Sequence, residues 1–161
     1  MFSSKPKYSA DKTKVHLKML CNRFQLLTQK KANLAKQQKR QVATLLRDDK
    51  EQNARILVEH IIREARPPRP DYTLESYGIL RQYAEMLLAR LEVVNSEDHL
   101  KPEIAEAVCA LLYAGWLYGS EIPELKVLHA QFTAKYGKEY AQEVIENKEK
   151  YLNHRLVRML T

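Results

Sequence analysis

The chain has 161 residues, 45% hydrophobic and 29% charged, with four glycines, six prolines and two cysteines. That balance fits one folded domain with a core of its own and excludes a disordered chain, a collagen-like repeat or a disulfide scaffold. Twenty-seven Lys and Arg oppose 20 Asp and Glu, a formal net charge of +7, which points to an acidic partner: membrane, nucleic acid or acidic protein.

The first nine residues are expected to be flexible. Met1–Lys18 is basic with no apolar run behind it, unlike a secretory leader, and Phe2 rules out N-myristoylation. The longest uncharged run, Ala107–Ser120, falls short of the ~20 apolar residues that span a bilayer. Any membrane contact is therefore expected to be peripheral.

Between Lys7 and Arg66 there is neither glycine nor proline, so the usual helix breakers are missing. Leu17, Leu20, Phe24, Leu27, Leu34 and Leu45 form one apolar stripe on a helix over 10–47, roughly 55 Å long at 1.5 Å per residue. Asp48 with Glu51 three residues later suggests a capping box that opens a second helix. That helix is expected to turn Ala54, Leu57, Val58, Ile61 and Ile62 inward.

Arg66-Pro67-Pro68-Arg69-Pro70 cannot continue an α-helix. Beyond it Tyr77, Leu80, Ala84, Leu87, Leu91 and Val94 repeat at alternating spacings of three and four, predicting a helix over 73–95. Pro102 opens a helix over 101–118 whose Ile104, Val108, Leu111, Leu112 and Trp116 make it the centre of a bundle. Pro123 opens the next, with Leu125, Leu128 and Phe132 inward and Gly137 closing it. A short polar helix over 138–149 and an amphipathic one over 152–160 complete the chain. Strand alternation and hairpin dipeptides are lacking, so the fold class is all-α.

Catalytic chemistry finds little support. The sequence has no GxSxG, HExxH or Gly-rich phosphate loop, and its five histidines are scattered. His60 and Glu64 share a helix face, but a plain polar face is the better reading. No enzyme activity, cofactor or metal is expected. Cys21 and Cys109 lie in apolar helical patterns and read as free thiols.

Charge is more informative. Residues 1–47 carry 12 Lys and Arg against one acid, Asp11, a balance of +11, whereas 48–161 carry 15 against 19, a balance of −4. On a helical wheel Lys14, Lys18, Lys36, Lys39, Arg40 and Arg47 fall within about 100° of one another, beside the apolar stripe. Without glutamates on that helix, intrahelical pairing cannot account for the row. Anionic lipid or a nucleic-acid backbone would suit it on charge alone. The helix carries only Phe24 as a ring for base stacking, and Phe24 lies in the apolar stripe, which favours membrane or acidic protein. The tyrosines, all but one of which follow the second helix, read as packing residues.

Several stretches resemble a family. Val58-Glu59-His60-Ile61-Ile62-Arg63-Glu64, Leu87-Leu88-Ala89-Arg90, Pro123-Glu124-Leu125-Lys126, Lys135-Tyr136-Gly137-Lys138-Glu139-Tyr140 and Asn153-His154-Arg155-Leu156 occur in this order in the increased-sodium-tolerance proteins, which are ESCRT-III-like regulators. The likeness runs over 10–161. It implies an ESCRT-III-like helical bundle: a long antiparallel hairpin of helices one and two with shorter helices packed on it. It also implies a non-enzymatic protein that binds ESCRT-III subunits of the charged multivesicular body protein type and co-assembles with them on anionic membranes. Such proteins regulate the AAA ATPase that disassembles the polymer, in multivesicular-body sorting, endosomal fission and cytokinetic abscission. The implied location is cytoplasmic and peripheral on endosomes, with the midbody as a further site.

Two departures from the family pattern stand out. About six residues, Ala65–Pro70, interrupt the second long helix, so a bulge between two collinear halves is expected. The chain also stops early in the terminal amphipathic segment, before a further core helix and the motifs that bind MIT domains, and so reads as a C-terminally truncated core. Two rival readings stay open: a basic helical nucleic-acid-binding module, and a monomeric adaptor that docks one partner helix in a groove near Phe132, Tyr136 and Leu156.

Overall fold

A computed structural model describes residues 7–65, 73–96 and 99–161. Its helices are α1 (Ala10–Arg47), α2 (Glu51–Ala65), α3 (Thr73–Ala89), α4 (Leu91–Ser96), α5 (Pro102–Tyr118), α6 (Pro123–Tyr136), α7 (Lys138–Glu146), α8 (Lys148–Tyr151) and α9 (His154–Leu160). The described residues contain no strand, in keeping with the all-α expectation.

α1 is the organising element. The Ser9 hydroxyl accepts the Lys12 N–H at 3.3 Å and caps its start. The Ser9 N–H donates to Gln131 Oε1 at 2.7 Å, and the Tyr8 hydroxyl donates to Asn95 Oδ1 at 2.6 Å. Two residues of the stretch expected to be flexible, Tyr8 and Ser9, are thus tied to α6 and α4, while residues 1–6 lie outside the described set.

At its far end α1 closes through two bonds, Lys50 N–H to Leu45 O (2.9 Å) and Asp49 N–H to Leu46 O (3.3 Å). Asp49 adopts the left-handed φ of 56° that this closure requires. This backbone closure replaces the expected Asp48–Glu51 capping box: Asp48 ends α1, and Glu51 pairs with Arg55 one turn on at 2.8 Å.

α2 returns along the distal half of α1, and α3 along its proximal half, where the Phe24 and Tyr77 rings lie 5.1 Å apart. Apart from Ala65 at the end of α2, the expected bulge falls outside the described residues. The single helix expected over 73–95 is broken once. The Arg90 N–H is shared between the carbonyls of Met86 and Leu87, which separates α3 from α4.

The core is one cluster at the base of the hairpin. Leu17, Leu20 and Phe24 of α1 meet Leu80, Ala84 and Leu87 of α3; α1 closes on α6, α3 closes on α5, and α5 packs on α6. α5 is buried along most of its length, as its pattern requires. Of the α5 residues expected inward, Trp116 is the exception, 54% exposed beside Tyr113. α3, α6, α7 and α8 all pack on α5, and Trp116 occupies the sector they leave open.

α5 and α6 approach closely at Gly115, where an added Cβ would stand 2.6 Å from both His129 Cβ and the Leu125 carbonyl. Gly137, at φ 99°, then reverses the chain into α7. α9 packs on α3, where Arg155 pairs with Glu75.

The distal hairpin is different in kind. Beyond Thr28 of α1, and along all of α2, Ala54 is the only buried described side chain. Leu34, Val58 and Ile62, expected inward, are exposed. Two helices bury one seam between them, and with no third layer among the described residues the neighbouring apolar positions face solvent.

Candidate membrane- and polymer-facing site

The rotation of α1 is set by its buried face. Thr13, Leu17, Leu20 and Phe24 are held on the face of α1 that packs on α3 and α6, so the sector beside and opposite them must face outward. The row Lys14, Lys18, Lys36, Lys39, Arg40 and Arg47 lies there, and all six side chains are exposed. None has an acidic partner among the described residues. The row extends from the bundle to the arm's tip, 33 residues or about 50 Å.

Lys14 stands on the rim of a groove of about 620 Å³ shared with Asp11, Arg90, Glu92 and Asn95. Arg40 borders a shallower groove of about 460 Å³ between the arm helices, floored by Leu45 and Leu57. Near the surface, with water on one side, such an array offers mobile cations to a surface of repeated negative charge.

Arg23, on the same helix, has another use. Its guanidinium grips the buried Glu124 carboxylate of α6 in a two-pronged contact at 2.5 and 2.8 Å. Burial pushes the Glu124 carboxyl up, but hydrogen bonds from Arg23 and from its own backbone, with the Arg23 charge, outweigh it and hold the group below its ordinary value. This clamp fixes the roll of α1 on α6, and with it the direction in which the basic row points.

The groove suggested near Phe132, Tyr136 and Leu156 is not an open surface. Phe132 and Leu156 are fully buried. Phe132 belongs to α6, packed on α1, α5 and α7, whereas Leu156 belongs to α9, packed on α3 and α8. Tyr136 stacks on Phe132, and its half-buried phenol is pushed up to about 12, chiefly by burial. These apolar groups at helical spacing are core. The tyrosines behave likewise: Tyr113 is buried, and Tyr77, Tyr83, Tyr118, Tyr140 and Tyr151 pack against the core.

His60 Nδ1 and Glu64 Oε1 form an exposed pair at 3.5 Å, and no group of metal-ligating residues occurs among the described residues. Cys21 and Cys109 are free thiols, and burial pushes Cys109 up. No helix among the described residues is long and apolar enough to cross a membrane.

Sequence reasoning missed one feature of this helix. Val15, Met19 and Leu26 are exposed large apolar side chains on a second stripe, about 150° from the core stripe on a helical wheel. The wheel carries the signal, but a strong core stripe draws attention away from it.

Comparison with known proteins bears on this geometry. A family model described as "Ist1: Regulator of Vps4 activity in the MVB pathway" matches residues 14–161. An IST1-like protein of Dictyostelium discoideum is 36% identical over 161 residues, covering 100% of this chain and 42% of the relative. The vacuolar protein sorting-associated protein IST1 of Saccharomyces cerevisiae is 36% identical over 142 residues, covering 83% of this chain and 45% of the relative. The chain thus spans less than half the length of these two relatives. A long hairpin with shorter helices packed on its base is the ESCRT-III-like layout, and with the family model matching nearly the whole sequence, the chain belongs to the Ist1 family.

Proposed function

We propose that this chain is a non-enzymatic ESCRT-III-associated assembly protein that uses the outward face of α1 to engage anionic membrane or the acidic body of a polymer neighbour. Its partners are ESCRT-III subunits of the charged multivesicular body protein type, with which it co-assembles. Through that assembly it regulates the disassembly ATPase in multivesicular-body sorting, endosomal fission and abscission, acting peripherally on endosomal membranes and at the midbody. The family description supports the regulatory part of this reading.

One observation carries it. α1 holds ten Lys and Arg against one Asp, and six of those cations stand exposed in one row without an acidic partner among the described residues. A row about 50 Å long with no acidic partner among the described residues is matched by an extended acidic surface, not by a small ligand.

Electron microscopy of the protein on anionic liposomes, with and without an ESCRT-III subunit of that type, tests the reading. Ordered coats or filaments that need both the subunit and the acidic lipid are expected. Tight RNA or DNA binding at physiological salt with no lipid binding contradicts it and favours a nucleic-acid module. A one-to-one complex without polymer favours the adaptor.

A further inference from the structure

We infer that the proximal part of α1, residues 12–30, does not merely rest on an anionic bilayer but inserts Val15, Met19 and Leu26 among the headgroups. This rests on the proposed membrane role of α1 and adds to it an apolar contact confined to one half of the helix.

The three side chains are 50, 44 and 64% exposed, although each is large and apolar. At positions i, i+4 and i+11 they make one stripe, about 16 Å long. On a helical wheel this stripe runs between two cationic margins, Lys14 and Lys18 on one side and Lys12 and Lys30 on the other, and all four lysines are exposed. An apolar ridge flanked by lysines whose stems can reach up to phosphate is the pattern of a helix lying in a membrane interface.

A groove of about 310 Å³ flanks the stripe, lined by Asn22, Leu27 and Lys30 among others. Its one carboxylate, Glu124, is neutralised by Arg23. The sector's remaining acid, Asp11, sits in the first turn of the helix.

A protein partner fits less well. Three side chains over about three turns are far fewer than the ~20–30 residues a side of a stable protein interface, whereas shallow insertion needs only a few apolar groups backed by charge. The distal half of α1 carries Lys36, Lys39, Arg40 and Arg47 on its outer sector; its exposed Leu34 and Leu46 stand about 120° apart on the wheel and form no single stripe. The two halves should therefore differ, the distal one attracting chiefly by charge.

A single-tryptophan protein tests this. Trp116→Phe removes the native indole, and Leu26→Trp places a new one on the stripe. With three-to-one phosphatidylcholine–phosphatidylserine vesicles the expected result is a blue-shifted emission quenched by brominated acyl chains. In the native background, V15S/M19S/L26S should still bind these vesicles at low salt. At about 0.5 M salt, where charge attraction is screened, its partitioning should fall about tenfold below that of the unaltered protein.

Binding with no shift and no quenching overturns the insertion but leaves the electrostatic role of α1 standing. The same shift on raising protein concentration without vesicles also overturns it, because a second copy then covers the stripe. Failure of the unaltered protein to bind anionic vesicles at low salt removes the membrane role itself, and the insertion with it.

Discussion

The two ends of α1 obey different rules. In the bundle its apolar stripe faces α3 and α6, and Leu17, Leu20 and Phe24 are buried from solvent. In the arm the same helix packs along α2, and of the described arm residues Ala54 alone is buried. The difference places the buried core at the base of the hairpin and leaves the described arm residues largely exposed.

Substitutions at the two ends test that contrast. The largest effect is expected in the core. Phe24→Ala should cost about 3–5 kcal/mol by urea denaturation, through lost burial and the cavity left behind. Leu46→Ala, in the arm, should stay within about 0.5 kcal/mol. Equal losses at the two positions would mean that the arm is packed against something in solution.

Next is Gly115→Ala. The added carbon meets the α6 backbone and His129 Cβ, so α5 and α6 must part, at a cost of about 1–3 kcal/mol. A neutral result in the same denaturation would show that the helices can slide.

The smallest of the three concerns Arg23→Ala, which removes the α1–α6 clamp for about 1–2 kcal/mol. It carries a pH signature. Because the folded Glu124 carboxyl titrates below its ordinary value of 4.5, its contribution is complete above that value and is lost as pH falls through the lower folded one. The difference in stability between the unaltered protein and Arg23→Ala should therefore be full at neutral pH and shrink in acid. A constant difference would place the loss in packing instead.

Much of this contrast is legible in the sequence, and its limits are physical. The stripe Leu17, Leu20 and Phe24 announces a helix and a buried face because period and apolarity coincide. The same period continues to Leu34, but periodicity records which way a residue points and not whether a third layer waits there. Val58 and Ile62 fail for that reason. Trp116 is exposed for a related one: an apolar helix shows no preferred face, so the sector left open is decided by its neighbours.

The Asp48–Glu51 spacing suits a side-chain cap, yet a left-handed Asp49 closes the helix through the backbone, which no spacing rule reveals. The basic row is legible because six cations on one sector need no tertiary information. The groove residues Phe132 and Leu156 are not, because an apolar residue at helical spacing reads alike in a core and on a rim. The Arg23–Glu124 clamp joins positions 101 apart, beyond any local pattern.

On the proposed function, the six exposed cations of the α1 row are the surface that engages acidic lipid or a polymer neighbour. Co-sedimentation with anionic liposomes at low and moderate salt tests it most directly. Binding should rise with acidic lipid, weaken with salt, and be lost in K14E/K18E/K36E/R40E, whose four positions are all exposed. Undiminished binding and assembly by that variant would contradict it.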